Sequence, residues 1–396
     1  MIPVPARTNI MSVTDSWQEF AASAAKQAGN LHVASVSDKV RELHQRIHER
    51  YPAIARIAVA LYDPEMRRLK TFVASNEPGI TPLNGYECPI DTVPSLLAIA
   101  ESGQARVLND LGKLAQSDTT HSRWLHNEGF QSSLTLPIRR GDQLLGFLFF
   151  DARERDVFQD PVVADLLLYG HLIGMIVTQE LATVQMLVGG LRLASQFAHV
   201  RDLETGAHLD RMARYARLIA REIGPAHGKT DDYAENIFLF SALHDIGKVG
   251  VPDRILLKPG KLDDTEREEM RRHVIVGLQM AERLINDFGL ASLSNIDMLR
   301  NIVIAHHERL DGSGYPHGLR GDAIPLEALI VATADVFDAL ACARSYKPAW
   351  TLDNAFEEIE RMSGSQLYAP AVQALLHCRE EVEAIYQRFQ DASVTL

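Results

Sequence analysis

Residues 306–316 have the sequence His306-His307-Glu308-Arg309-Leu310-Asp311-Gly312-Ser313-Gly314-Tyr315-Pro316, and they follow the apolar run Ile302-Val303-Ile304-Ala305. The run and the histidines predict the last turns of a buried helix up to Glu308. Two glycines and a proline in the rest of the segment cannot continue that helix. The pattern therefore places imidazoles at the rim of a core beside a stiff polar loop. Alone, it fits a ligand site and two ordinary buried histidines equally well.

The composition is that of a soluble globular protein with roughly two or three domains. The chain has 396 residues, of which 46% are hydrophobic and 23% are charged. Its net charge of -12 gives no indication of the basic surface that binds duplex nucleic acid. Three widely separated cysteines argue against a disulfide framework and fit a reducing compartment, so we expect a cytoplasmic protein. Neither a signal-peptide pattern nor an apolar run of about 18 residues is evident, so no membrane span is expected.

The N-terminal half predicts an antiparallel sheet flanked by helices. Apolar residues alternate in two hairpins, with strands near 57–61 and 69–74 and near 134–138 and 144–150, and helical patterns cover 36–49 and 122–127. This order of elements resembles a GAF domain over about residues 30–180. Such domains often bind small ligands, but the signature of the cyclic-nucleotide-binding members is absent, and the ligand is unknown. Cys88, His121 and His126 are candidate ligands of a haem or metal, although ordinary surface or core roles are the commoner alternative.

A connector helix follows, and its apolar residues step by four and three. This spacing is typical of a coiled-coil seam and predicts a parallel homodimer through the connector and the GAF-like domain. The alternative is a single amphipathic helix that packs on its own domain. The predicted seam consists of Val177, Leu181, Val184, Val188 and Leu191.

Beyond Gln196, histidines and acids recur at the ends or faces of successive helices. Glu204 and His208 are spaced i and i+4, so both can reach one metal from one helix face. His244 and Asp245 follow an apolar run, and a buried carboxylate needs a partner that a metal or imidazole supplies. Lys248 lies on the same side and can hold a phosphate oxygen as a point charge.

Three further positions extend this series. His273 falls in a predicted exposed helix at 265–286, and Asp335 lies inside another apolar helix. Adjacent helical residues diverge by about 100°, so His306 and His307 are expected to reach different metals or one edge of a cluster. Each buried acid needs a cation as its partner, and the other histidines and acids of the series could hold that cation. A helical bundle with such ligands can bind two or more metals.

Here the sequence resembles a specific family. His244-Asp245 looks like the paired ligand of the HD phosphohydrolase superfamily, and residues 306–316 look like the signature of its HD-GYP subfamily. The resemblance covers about residues 190–385 and implies an all-helical, metal-dependent phosphodiesterase that cuts cyclic di-GMP to pGpG and, after a second cut, GMP. It implies the metal ligands Glu204, His208, His244, Asp245, His273, His306, His307 and Asp335, with Asp245 bridging.

The resemblance also implies the cofactors and the substrate contacts. Two or three divalent ions are expected, and three are favoured because Glu204 and His208 are both present. Mixed imidazole and carboxylate ligands suit iron, manganese, nickel or zinc, and the resemblance favours iron or manganese. Asp245 and Lys248 would be the catalytic residues. Lys248 and Lys347 would grip the scissile phosphate, Arg344 and Asp338 would contact the nucleotide, and Tyr315 would pack near it. A weakly active signalling module and an HD hydrolase of another nucleotide remain alternatives.

The predicted protein is therefore multidomain. It consists of an N-terminal segment at 1–29, an α+β GAF-like sensor domain at 30–165, a connector helix at 166–200 and an all-α HD-type bundle at 201–396.

Overall fold

The computed structural model describes residues 35–114, 119–197, 206–292, 295–342 and 349–390. These residues form an α/β domain, one long helix and a helical domain, as the sequence predicts. The predicted N-terminal segment at 1–29 lies outside the described residues.

The α/β domain contains a six-stranded antiparallel sheet in the order β3-β2-β1-β6-β5-β4. Both predicted hairpins are confirmed, since β1 pairs with β2 and β5 pairs with β6. Its strands are β1 (Ile54–Asp63), β2 (Arg68–Asn76), β3 (Glu87–Pro89), β4 (Arg106–Leu108), β5 (Ser132–Arg140) and β6 (Gln143–Ala152).

Helices cover both faces of this sheet. They are α1 (Val36–Arg50), α2 (Pro94–Ser102) and α3 (Thr120–Asn127). Strand β6 is apolar at nearly every position because successive side chains enter different cores. Leu148 and Phe150 pack with α1, whereas Phe147 and Phe149 pack with α2.

Helix α4 (Asp160–Phe197) joins the two domains by entering both cores. Val177 and Leu181 belong to the core beneath the sheet, and Val184 belongs to the core of the helical domain. The predicted dimer seam is therefore wrong: its described side chains pack inside the chain that carries them. A stepping of four and three also describes any helix stripe that faces a core, so the pattern could not separate the two cases.

Helix α4 also bears on the expectation that no membrane span is present. Over Asp160–Gly190 it is long and apolar enough, by length and composition alone, to cross a membrane. Its buried face nevertheless lies in two protein cores, where Ile173 and Val177 are fully covered. The apolar character of this helix is thus explained in part by packing within the protein.

The helical domain surrounds a core formed largely by α5, α6, α10, α11 and α13, with Tyr215, Phe240 and Phe337 at its centre. A short 3-10 turn, Ile246–Gly250, follows α6. The α-helices are α5 (Gly206–Ile223), α6 (Asp231–Ser241), α7 (Asp253–Leu256), α8 (Asp264–Arg271), α9 (His273–Asp287), α10 (Ile296–Ala305), α11 (Leu326–Ala341), α12 (Leu352–Met362), α13 (Ala369–His377) and α14 (Arg379–Arg388).

Buried ion pairs join the sheet to α5. Arg217 contacts Glu87 at 2.6 Å, and Arg221 contacts the same carboxylate at 3.3 Å. Burial disfavours the charged form of Glu87, but Arg217 and Lys70 bring its pKa down to about 2. Because α5 also carries His208 near its first turn, these contacts fix the helix that supplies one candidate metal ligand.

Candidate metal centre

Seven of the predicted ligands converge in two groups within the described residues. The ligand atoms of each group lie within 4.8 Å of one another. One group combines α5, the turn after α6 and α11, and the other combines the same turn, the start of α9 and the residues that directly follow α10. The groups are His208, His244 and Asp335, and Asp245, His273, His306 and His307.

Asp245 belongs to the second group and also faces His244 of the first. Its Oδ1 is 2.9 Å from Nε2 of His273 and 3.4 Å from Nε2 of His306. Its Oδ2 is 3.1 Å from Nε2 of His244 and 2.7 Å from Nζ of Lys248. Burial disfavours the carboxylate, but Lys248 and His244 hold the pKa of Asp245 well below its ordinary value. An ionised carboxylate therefore presents one oxygen to each group.

The backbone fixes the orientation of three imidazoles. The Nδ1–H groups of His244, His273 and His306 donate to main-chain carbonyls at 2.9, 2.8 and 2.9 Å. Only Nδ1–H can donate to these carbonyls, so each Nε2 of a neutral ring directs a lone pair toward the centre. This arrangement is typical of metal-ligating histidines.

The site contains buried acceptor atoms that face one another. Among the described residues, Nε2 of His273, Nε2 of His306 and Oδ1 of Asp245 are buried without a hydrogen-bond partner. Burial lowers the pKa of His306, and burial together with His306 lowers the pKa of His307 well below its ordinary value. Neutral imidazoles facing a carboxylate need a cation between them. The donor set therefore fits divalent metal ions.

Asp338 has different partners from those expected. It is fully buried, and it accepts hydrogen bonds from Nδ1–H of His208 at 2.7 Å and from Arg211 at 2.7 and 3.0 Å. Burial disfavours the carboxylate, yet His208 and Arg211 hold its pKa below the ordinary value. A carboxylate so enclosed cannot reach a nucleotide, so the structure favours a positioning role for Asp338. It orients His208 as a carboxylate orients a metal-bound histidine.

The loop after His307 is held against the site by Glu308. This buried carboxylate accepts hydrogen bonds from the backbone N–H groups of His317 and Leu319 at 2.7 and 2.9 Å. At Gly314 a Cβ atom would lie 2.4 Å from the Arg309 nitrogen, so only glycine permits this backbone packing. The loop consequently stays close to the histidines.

Tyr315 projects from this loop to the rim of the site. Its ring lies 4.7 Å from that of His307, and the peptide bond to Pro316 is cis. The guanidinium of Arg271 lies 5.1 Å above the ring. Tyr315 therefore presents a half-buried aromatic face at the rim of the site, and its contact with a nucleotide stays a prediction.

His273 is buried, contrary to the exposed position expected from its polar neighbours. The predicted single helix is divided, with α8 ending at Arg271 and α9 starting at His273. A Cβ atom on Gly247 would lie 1.8 Å from the His273 carbonyl, so glycine allows the turn after Asp245 to touch α9. This close approach brings His273 to Asp245.

The two adjacent histidines belong to one group, with ring centroids 4.1 Å apart. Helix α10 ends at Ala305, before either of them, so the expected divergence of about 100° between adjacent helical residues does not apply to His307.

Three predicted site residues, Glu204, Arg344 and Lys347, lie outside the described residues.

Two contributors were not predicted from the sequence. Arg211 pairs with Asp338, and Arg271 covers Tyr315. The spacing of Arg211, three residues after His208 on an amphipathic helix, is the one signal that could have identified it. Within the part of the chain that the structure describes, Cys88, His121 and His126 join no such group. His126 is exposed, and the ring of His121 stacks between those of Tyr86 and Trp124, with centroids 6.3 and 6.2 Å away.

Comparison with known protein families assigns a domain to each half of the chain. The GAF domain family matches residues 37–177, and the HD domain family matches residues 203–372. The chain therefore contains a GAF domain followed by an HD domain, as the resemblances implied.

Curated relatives match about half of the chain at 40–44% identity. The chain is 44% identical over 193 residues to the cyclic di-GMP phosphodiesterase response regulator RpfG of Xanthomonas campestris, covering 49% of this chain and 48% of that protein. It is 41% identical to a cyclic di-GMP phosphodiesterase of Thermotoga maritima, covering 51% and 52%. It is 40% identical to the 3'3'-cGAMP-specific phosphodiesterase 2 of Vibrio cholerae, covering 48% and 34%. The chain thus spans about half the length, or less, of these relatives.

Proposed function

We propose that the HD domain is a metal-dependent phosphodiesterase that hydrolyses the 3'-5' phosphodiester of cyclic di-GMP. The observation that carries this proposal is the position of Asp245 between two groups of ligand atoms. The names of relatives that are 41% and 44% identical over about half of the chain support the substrate.

The proposed ligands fit two ions among the described residues, and Glu204 would contribute to a third. Mixed imidazole and carboxylate ligation suits iron, manganese, nickel or zinc, and the resemblance to the HD-GYP subfamily favours iron or manganese among them. When bound, such ions would neutralise the phosphodiester and lower the pKa of a water molecule. Asp245 would bridge them, because its two oxygens face different groups.

The side chains around the ligands would bind and orient the substrate. The ammonium of Lys248, 2.7 Å from Asp245, places a positive charge beside the centre for a phosphate oxygen. Tyr315 supplies an aromatic face at the rim, and Lys347 and Arg344 are proposed as further contacts. Water adds to phosphorus, the bond from phosphorus to ribose O3' breaks, and O3' takes a proton. The first product is linear pGpG, and a second cut gives GMP.

A different cyclic dinucleotide is a second candidate substrate. The similarity to the 3'3'-cGAMP-specific relative of Vibrio cholerae, at 40% identity over nearly half of this chain, favours including it. Side-by-side rates on cyclic di-GMP and 3'3'-cGAMP decide between them. A higher kcat/KM on 3'3'-cGAMP would reverse the substrate assignment.

The proposal is tested with full-length protein purified without oxygen and supplied with iron or manganese. We expect chromatography to show conversion of cyclic di-GMP to pGpG, and elemental analysis to show bound metal. The double variant His244→Ala, Asp245→Ala should lose both. No turnover with either metal would favour a binding or signalling module, and unchanged metal content in the double variant would contradict the ligand assignment.

We further propose that the GAF domain regulates this activity in the cytoplasm. The buried pairs between Glu87 and the α5 arginines support such coupling, because α5 also carries His208. These pairs would transmit a change in the GAF domain to the metal centre if α5 has two positions that both sites bias.

A further inference from the structure

Arg211 joins three helices of the HD domain through its hydrogen bonds. It is carried by α5 and is 1% exposed. Its Nε–H and Nη2–H groups donate to the two carboxylate oxygens of Asp338 on α11, at 2.7 and 3.0 Å. Its Nη1–H group donates to the backbone carbonyl of Phe389, the residue that directly follows α14, at 2.6 Å. One guanidinium therefore holds α5, α11 and the end of α14 together.

The two bonds to Asp338 fix the direction of its carboxylate. A guanidinium is a planar and rigid fork, so two of its N–H donors leave a carboxylate little freedom to rotate. Oδ2 of Asp338 also accepts the Nδ1–H of His208 at 2.7 Å. A fixed acceptor at Nδ1 sets both the tautomer and the orientation of the imidazole ring. Nε2 of His208 then lies 3.9 Å from Asp335, within the first group of candidate ligands.

His208 differs from three other candidate ligands in how its ring is oriented. His244, His273 and His306 donate to main-chain carbonyls that lie three or four residues before them. Their orientation is therefore set locally. His208 depends instead on a side chain 130 residues away, which Arg211 holds in place. A disturbance at Arg211 should consequently reach the first group of ligands and spare the second.

The end of α14 is itself held against α5. The last carbonyls of a helix have no partner within the helix, so the Phe389 carbonyl needs a donor from elsewhere, and Arg211 supplies it. The Phe389 ring lies against a second arginine of α5, with its centroid 4.2 Å from the guanidinium carbon of Arg214. Nη2 of Arg214 lies 3.6 Å from Oδ1 of Asp63, at the end of β1 in the GAF domain. The carbonyl that holds Arg211 is therefore seated by contacts that reach the GAF sheet.

We propose that Arg211 is a positioning residue for His208 and that the end of α14 keeps Arg211 in place. The inference rests on the proposed binding of metal by His208, His244 and Asp335. It adds that this one group depends on a carbonyl 178 residues after Arg211 in the chain. The plainer role for Arg211 is to neutralise a buried carboxylate, which another cation in its place could also do. The two roles differ in what a lysine can replace.

Calorimetric titration of full-length, metal-depleted protein with Mn²⁺ separates the two roles. Lysine keeps the positive charge, but its ammonium is a point charge that cannot hold a carboxylate in a fixed plane. Arg211→Lys should therefore keep nearly the stability of the unchanged chain in urea unfolding. It should nevertheless weaken Mn²⁺ binding at one site about 10- to 100-fold and leave the other site unchanged. Arg211→Met should lose the same affinity and part of the stability as well.

Three further variants show which group of ligands is affected. Asp338→Asn should weaken the same site as Arg211→Lys, and the double variant should be no weaker than the weaker single variant, because the two side chains act as one unit. His306→Ala should weaken the other site. Arg300→Met removes an arginine of α10 that pairs with Glu282 and Asp297, outside both groups, and should leave both sites unchanged.

Phe389→Ala tests the contribution of α14. Without its ring against Arg214 the carbonyl is held less firmly, so a loss at the same site is expected, smaller than in Arg211→Lys. Arg388→Ala changes the exposed neighbouring residue and should cause no loss. Unchanged Mn²⁺ affinity in Phe389→Ala would overturn the role of α14.

Two results would overturn the positioning role of Arg211 and leave the proposed function standing. One is Mn²⁺ affinity fully restored by Arg211→Lys, and the other is an equal loss at both sites. Either would assign Arg211 to stability alone. An unchanged chain that binds no Mn²⁺ would instead overturn the proposed metal ligation and this inference together.

Discussion

Two buried histidines, one in each domain, differ in how their ring nitrogens are used. His44 in the GAF domain is 5% exposed, and its Nδ1 and Nε2 lie 2.8 Å from Ser75 Oγ and 3.2 Å from the Ile54 carbonyl. His306 in the HD domain is 2% exposed, and its Nδ1–H donates to the Ile302 carbonyl. Its Nε2 instead faces Asp245 without a hydrogen bond.

Buried aspartates repeat this contrast. Asp151 in the sheet accepts hydrogen bonds from Arg56 at 2.5 Å and from Ser133 at 2.7 Å, one at each oxygen. Asp245 directs Oδ1 at two imidazole nitrogens that cannot donate while their Nδ1 atoms carry the protons. Burial of a polar side chain therefore does not identify a ligand. The informative feature is a set of buried acceptor atoms that converge without donors.

The largest effect is expected for His306→Ala. Removing a ligand from the group around Asp245 should reduce bound metal and lower kcat/KM about a thousandfold, which corresponds to about 4 kcal/mol. Elemental analysis and hydrolysis rates measure both. His317→Ala removes an exposed histidine from the loop that follows and should change neither. Full metal content in His306→Ala would show that His306, like His44, is a buried histidine that does not bind metal.

A smaller effect is expected for Asp338→Asn. Loss of the charge that orients His208 should weaken metal binding or activity about 10- to 100-fold. The measurement is metal affinity without nucleotide, followed by KM and kcat with saturating metal. A rise in KM at unchanged metal affinity would instead restore the nucleotide contact expected from the sequence.

The smallest effect is expected for His44→Ala, and it concerns stability alone. Leaving Ser75 Oγ and the Ile54 carbonyl without this partner should lower the free energy of unfolding by about 1–3 kcal/mol. Urea unfolding measures this change, while metal content and hydrolysis should match those of the unchanged chain. A loss of bound metal in this variant would show that buried histidines in the two domains are not functionally distinct.

The sequence predicted the two hairpins and the seven candidate ligands that the described residues bring together, because each depends on a local pattern. His244 and Asp245 end an apolar helix run, and His306 and His307 end another, so their burial followed from neighbouring residues. Their grouping depends on contacts between distant segments. The close approach of Gly247 to His273 is such a contact, and nothing near His273 in the sequence indicates it.

The errors have the same origin. An apolar stripe shows that a helix face is covered, but it does not say by which chain, and so Val177 and Leu181 were placed in the wrong interface. Asp338 was expected at the substrate by resemblance, whereas its surroundings depend on His208 and Arg211, more than 120 residues earlier in the chain. Composition around a residue cannot reveal such a partner.

Helix α4 also limits how the two domains could be recombined by gene fusion. Because Val177 completes one core and Val184 the other, a chimera joined anywhere between them must keep the helical phase. Inserting one residue there would turn everything downstream by about 100°, whereas inserting seven would add about two turns and nearly restore the original direction. A sensor domain from another protein would therefore control this HD domain only when the length of the junction differs from the natural length by a multiple of about seven residues.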